Sequence, residues 1–179
     1  MKLEKHRTTT LLATSLLWAG GIGLSAQGQD SLVTYEERAY SFQCPADWQR
    51  DRRGADPLFN LPDRDGKVDR SVYFSILSEK IGEVESLVVF VDDHFELSSA
   101  IWKKYGDELL LETQSADHLG DYPIIYQVLT LNESKQRKHQ WFLKTDNTVY
   151  IFELTCPLTD ADLYYDVARD VVQSFILTE

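Results

Sequence analysis

Residues 141–156, WFLKTDNTVYIFELTC, constrain the fold more than any other stretch of the chain. Residues 149–154 are dense in β-branched and aromatic types, which suit a half-buried pleated surface. At period two, Tyr150, Phe152, Leu154 and Cys156 share one apolar face, which predicts contact with the core. The opposite face, Val149, Ile151, Glu153 and Thr155, is mixed, as expected of a strand covered only in part. Asp146 and Asn147 separate two strand-like runs, and both types tolerate the left-handed backbone of a tight turn. The stretch reads as a β-hairpin onto which other strands and helices are built.

The first residues read differently. Lys2, Lys5, His6 and Arg7 form a basic start, followed by the apolar or small run LLATSLLWAGGIGL at 11–24 and by Ser25-Ala26-Gln27. That is the layout of a secretory signal peptide, expected over 1–26 with cleavage after Ser25 or Ala26. The run is shorter than the ~20 residues of a membrane-spanning helix, so no stable insertion is expected after cleavage. No cysteine follows it, which argues against a lipid anchor. A polar lead-in is expected over 27–38 and a single domain over 39–179, large enough for a real core.

The full chain carries a net charge of −11, and removing the basic leader makes the remainder more acidic. Such a surface repels phosphate backbones and anionic lipid, so no nucleic-acid partner is expected. It suits a soluble protein, a basic partner or a cation.

Only two cysteines occur, Cys44 and Cys156, each followed by proline. In an exported protein, two thiols predict a disulfide if their strands are neighbours. Chain-entropy models allow such a long closed loop up to ~4–5 kcal/mol. The other reading is two buried free thiols.

In chain order, 39–44 reads as a strand with Tyr40, Phe42 and Cys44 on one face, ended by Pro45; Trp48 caps the core edge. Residues 49–69 read as a long irregular loop holding Asp51, Asp56, Asp63, Asp65 and Asp69 with arginines between them. A loop of that length is often functional. Its piece DRDGKVD resembles a calcium loop but misplaces the glycine and has no closing glutamate. Residues 71–78 read as a strand. Ser86 can cap a helix over 87–105 with Leu87, Phe90, Val91, Phe95, Ile101, Trp102 and Tyr105 on one stripe. His94 and Ser98 sit inside that stripe, and no second metal ligand stands at helical spacing from His94. Strands follow over 108–116 and 122–131. A polar loop over 132–138 carries Lys135, Arg137 and Lys138, a basic patch on an acidic chain and a candidate contact site. After the hairpin, Pro157 stops the last strand, and Thr159 or Asp160 can cap a helix over 161–174.

The order predicts an α+β fold, an antiparallel sheet flanked by helices. Here the chain resembles the PsbP-like family, whose relatives include bacterial exported DcrB-type proteins and a eukaryotic Ran-binding import factor. The matching pieces are Tyr40-Ser41-Phe42-Gln43-Cys44-Pro45 with Trp48, then Leu119-Gly120-Asp121-Tyr122-Pro123. Val149-Tyr150-Ile151-Phe152-Glu153-Leu154-Thr155 and Val171-Val172-Gln173-Ser174-Phe175 complete the likeness. Ala46-Asp47 departs from it where a glycine often precedes the tryptophan, as does the missing lipid-attachment cysteine.

The resemblance implies a non-enzymatic envelope protein, in the periplasm or outside the cell, that binds an unidentified envelope partner or assists an assembly. It implies no cofactor and transfers no site residue. The chain is expected to be monomeric. Two further classes stay open: a divalent-cation-binding protein using the acidic 51–69 segment, and a hydrolase. The second lacks G-x-S-x-G, H-E-x-x-H and phosphate-loop patterns.

Overall fold

A computed structural model describes residues 31–54, 56–63, 65–82 and 86–178. The expected signal peptide and most of the lead-in lie outside the described residues.

The strands are β1 (Leu32–Glu36), β2 (Tyr40–Pro45), β3 (Gln49–Asp51), β4 (Leu58–Pro62), β5 (Val68–Lys80), β6 (Leu109–Leu119), β7 (Tyr122–Leu131), β8 (Gln136–Lys144), β9 (Thr148–Pro157) and β10 (Ile176–Leu177). Helix α1 spans Leu87–Lys104 and α2 spans Ala161–Gln173. Seven strands form one sheet in the order β3-β4-β5-β9-β8-β7-β6, and β1-β2-β10 form a second. All pairings are antiparallel. This is the α+β layout expected from the sequence.

The hairpin is the centre of the large sheet. β8 and β9 pair from Lys144–Val149 to Gln136–Pro157, with Trp141 opposite Phe152. Thr145 N donates to Thr148 O at 2.8 Å across the turn. Tyr150, Phe152, Leu154 and Cys156 all enter the main core, as the period-two pattern requires. That core lies between the large sheet, α2 and the small sheet. Phe175 follows α2 and meets Tyr40, Tyr150 and Phe152 with ring centroids at 4.9, 5.1 and 4.9 Å. Ser174 clasps β2, accepting from Gln43 N at 2.8 Å and lying 3.2 Å from Gln43 O. Trp48 is buried against Phe59 and Phe74.

Helix α1 lies on the other face. Its first turns bury Leu87, Phe90 and Val91 over Ile125, Phe142, Val149 and Ile151. Phe95 and Trp102 lean on Leu109, Leu129 and Leu131. The expected stripe is therefore only partly right: Ile101 and Tyr105 are exposed, while His94 and Ser98 are half-buried.

Three expectations are corrected. The 49–69 segment is not a long loop but the meander β3-β4 and the start of β5, with Arg50 opposite Phe59 and Phe59 opposite Phe74. β3 is polar and lies at the sheet's edge, while β4 carries no charge and sends Phe59 and Leu61 into the main core. Residues 32–36 are a strand rather than a lead-in. Cys44 and Cys156 are free thiols. Their strands are not neighbours: among the described residues β2 pairs with β1 and β10, and β9 with β5 and β8. Both are fully buried, and desolvation pushes each thiol up to about 12.

Among the described residues, no helix is long and apolar enough to cross a membrane.

Candidate functional site

The α1 face of β9 begins apolar, with Val149 and Ile151, and then turns polar at Glu153 and Thr155. Straight across the sheet from Glu153 lie Gln140 on β8, Gln127 on β7 and Gln114 on β6, with Ser75 on its other side. Gln127, Gln140 and Ser75 are buried. Five antiparallel strands thus bring one polar side chain each into a single row on the α1 face. Gln140 Nε2 donates to Glu153 Oε2 at 2.6 Å, and Gln127 Nε2 donates to Gln114 Oε1 at 2.6 Å.

One row along, Lys138 Nζ donates to Glu153 Oε1 at 2.5 Å and to Thr155 Oγ1 at 3.2 Å. Thr155 Oγ1 donates to the same carboxylate oxygen at 3.1 Å. The Lys138 ammonium also sits 5.5 Å from the Trp102 ring centroid and 5.9 Å from that of Tyr73. Burial opposes both charges. It is outweighed: the Glu153 carboxylate holds Lys138 above its ordinary value, and Lys138 with its neighbours' hydrogen bonds holds Glu153 below its own. The pair is therefore ionised, with Lys138 protonated and no free amine for nucleophilic work.

In this arrangement Gln127 Oε1 and Gln140 Oε1 stay buried without a partner. Gln127 and Gln140 are direct ladder partners, so a half-turn of the Gln114 and Gln127 amides brings a donor to the side where both carbonyls lack one.

His94 roofs part of this site, its ring 5.3 Å from Phe142 and 6.1 Å from Phe90. Desolvation lowers its pKa, against the pull of Glu79 and Glu153, which leaves the imidazole neutral at neutral pH.

On the α2 face, His139 is buried among Tyr126, Trp141 and Tyr165. Its Nδ1 is 2.7 Å from the Tyr126 hydroxyl. Burial first, then the Arg137 charge, brings it down to about 4. Arg137 pairs with Glu112 at 3.0 Å, and Glu112 also accepts from Thr130 Oγ1. Glu112 reaches both because it is the bulged residue between Leu111 and Thr113.

These placements dissolve the expected basic patch at 132–138. Lys138 points into the sheet's α1 face, Arg137 lies on the opposite face with Glu112, and Lys135 alone stays at the loop tip, at φ 55°. In the acidic segment, two carboxylates close local contacts. Asp51 is bound by Arg53, and Asp63 accepts from Asp65 N at 2.8 Å and Lys67 N at 2.9 Å, closing its own turn. Among the described residues, no three His, Cys, Asp or Glu side chains converge on a metal position.

The glutamine row carries a sequence signal that the strand-by-strand reading passes over. Gln114 and Gln127 are 13 residues apart, as are Gln140 and Glu153. Register places the same interval between the middle pair, so one polar residue interrupts each strand at a constant step.

What α1 leaves outward is mixed: Asp92, Asp93, Glu96, Lys103 and Lys104 are exposed, and large apolar side chains stand among them. Leu97 is 63% exposed and Tyr105 76%, with Ile101, Val88 and Val89 also open. Leu97 and Ile101 stand one turn apart on one flank.

Solved structures share this architecture. A cyanobacterial PsbP from Synechocystis sp. PCC 6803 superposes with a TM-score of 0.63 at 16% identity, covering 89% of this chain and 97% of that one. The fold is PsbP-like. LpqN of Mycobacterium tuberculosis, described as involved in cell envelope biogenesis, matches this PsbP-like chain with a TM-score of 0.51 at 11% identity. That match covers 83% of this chain and 90% of LpqN. A Pseudomonas aeruginosa protein of unknown function reaches 0.50 at 15% identity, with 83% and 98% covered. No family model matches the chain, and no curated protein matches it in sequence.

Proposed function

We propose that this PsbP-like chain is an exported, non-catalytic envelope protein that binds a protein partner through the outward side of α1. The observation that carries the reading is the set of exposed apolar side chains on that helix, Val88, Val89, Leu97 and Ile101, with Tyr105 just past its end. Leu97, Ile101 and Tyr105 recur every four residues along one flank, and large apolar side chains left open on an otherwise acidic protein mark a candidate contact site. A helix is a common element for presenting such anchors.

The interior supports binding over chemistry. Both thiols lie near 12, Lys138 is locked to Glu153, and His139 lies near 4. None of these is poised to exchange a proton near neutral pH. The leader pattern at 1–26 and the involvement of LpqN in cell envelope biogenesis support the envelope setting.

The test is photocrosslinking in the protein's own envelope, with the reactive side chain placed at Leu97, Ile101 or, as a control on the opposite face, Asp166. One discrete product from Leu97 and Ile101, and none from Asp166, is expected. Products from Asp166 alone would overturn the assignment of α1. The denatured mass of the same preparation should match cleavage after Ser25 or Ala26.

A further inference from the structure

The seven-stranded sheet ends in two unlike edges. β3 is three residues long, and in the small sheet the outer strands β1 and β10 have five and two. Short edges are a standard protection against added strands. β6 is the exception. It has 11 residues, nine of them exposed, and among the described residues only β7 pairs with it. It contains no proline and no lysine, the residues that usually blunt such an edge.

The orientation of its free backbone groups can be assigned. His118 N donates to the Asp117 carboxylate at 2.8 Å instead of to β7. Its ladder partner is Pro123, which has no N–H to offer in return. His118 therefore turns its N–H and C=O outward. Antiparallel ladders alternate in this respect, so Ala116 and Gln114 also face outward, while Ser115 and Asp117 bond β7. The bulge at Glu112 ends this run, and the Asp117 carboxylate caps its other end.

The chemistry around the edge is one-sided. Residues 107–121 carry Asp107, Glu108, Glu112, Asp117 and Asp121 and no lysine or arginine. Asp107 is occupied by the N–H groups of Glu108, Glu133 and Ser134, and Glu112 by Arg137. Glu108, Asp117 and Asp121 remain exposed. Leu110 and Leu111, 42% and 43% exposed, offer an apolar foothold on each face of the strand. A second copy would bring like charges together and adds another −11 to the assembly.

We propose that β6 is a strand-addition site that takes an extended, lysine- or arginine-bearing segment of the partner. The segment hydrogen-bonds Gln114 and Ala116 and meets Glu108, Asp117 and Asp121 with its basic side chains. This rests on the partner-binding reading and names the class of segment bound; it does not depend on which side of α1 is used.

The test is amide hydrogen exchange by NMR on the full chain with a millimolar eight-residue peptide of alternating lysine and valine. Exchange at Gln114 and Ala116 should slow at least tenfold. An alternating glutamate–valine peptide should leave both unchanged. Ala116→Pro removes an N–H the fold does not use, so the protein should stay folded while peptide protection at Gln114 is lost. Should that variant unfold, E108K/D117K, which leaves the backbone intact, should weaken the lysine peptide at least fivefold. Unchanged exchange with the lysine peptide overturns the proposal, as does equal protection by the glutamate peptide. Protection that grows with protein concentration alone assigns the edge to a second copy and also overturns it. Crosslinking at Leu97 and Ile101 is read separately, so a failed helix contact and a failed strand site are distinguishable.

Discussion

On the α2 side of β9, Phe152 meets Phe175 edge-on at 4.9 Å inside a continuous aromatic core. One residue further along the same strand, on the α1 side, Glu153 is held by Lys138, Gln140 and Thr155. One face is closed by apolar packing, which is non-directional and tolerates many neighbours. The other is closed half by packing and half by hydrogen bonds that must all be met. The difference teaches how α1 is seated: its first turns rest on Ile125, Phe142, Val149 and Ile151, its later turns lean on Leu109, Leu129 and Leu131, and the polar row lies between these two apolar footings.

The comparison can be broken hardest at Phe152. Phe152→Ala should cost about 4–5 kcal/mol in urea unfolding, since the cavity lies where sheet, helix and small sheet all meet. A loss below ~2 kcal/mol would show that the α2 side is not the dominant core. On the α1 side, Glu153→Ala should cost about 3–4 kcal/mol because it strands a buried ammonium. Lys138→Met combined with Glu153→Leu should recover most of that. If the double replacement is as unstable as the single one, the pair contributes stability rather than placement.

His139 sharpens the contrast through pH. Its folded pKa, about 4, lies below the ordinary ~6.5. The unfolded chain then binds the extra proton between those values. The stability from keeping the ring neutral is fully present above ~6.5 and is lost as pH falls toward 4, at most ~3 kcal/mol. His139→Gln should flatten the stability–pH slope between pH 5 and 7. An unchanged slope would place the titration elsewhere. The smallest effect belongs to the outward flank of α1. Leu97→Ser and Ile101→Ser should each change unfolding stability by no more than ~0.5 kcal/mol while lowering crosslinking yield.

Much of the frame is legible in the residues themselves. The period-two face of β9, the Asp146-Asn147 turn and the strand at Tyr122–Leu131 all follow from local pattern. So does the start of α1 at Leu87 after Ser86. The site is less legible. A glutamine inside an apolar strand looks like noise until register aligns it with its counterparts on the neighbouring strands. Arg137 and Lys138 read as one basic loop because adjacent residues on a strand point to opposite faces, and nothing local says that β8 already begins at Gln136. The β3-β4 meander was hidden because β3 has three polar or charged residues and β4 only five, bounded by Pro57 and Pro62, too short for a period-two pattern to stand out.

The sequence by itself determined the antiparallel hairpin, the two helices and the core-facing residues of β2 and β9, because periodicity is a local property of the chain. Only the tertiary structure decided the pairing of strands far apart in sequence. It set Cys44 and Cys156 on different sheets, gathered the glutamine row around Lys138–Glu153, and left β6 as the long open edge. Those outcomes depend on register and strand order, which the global burial of apolar faces fixes and no single segment encodes.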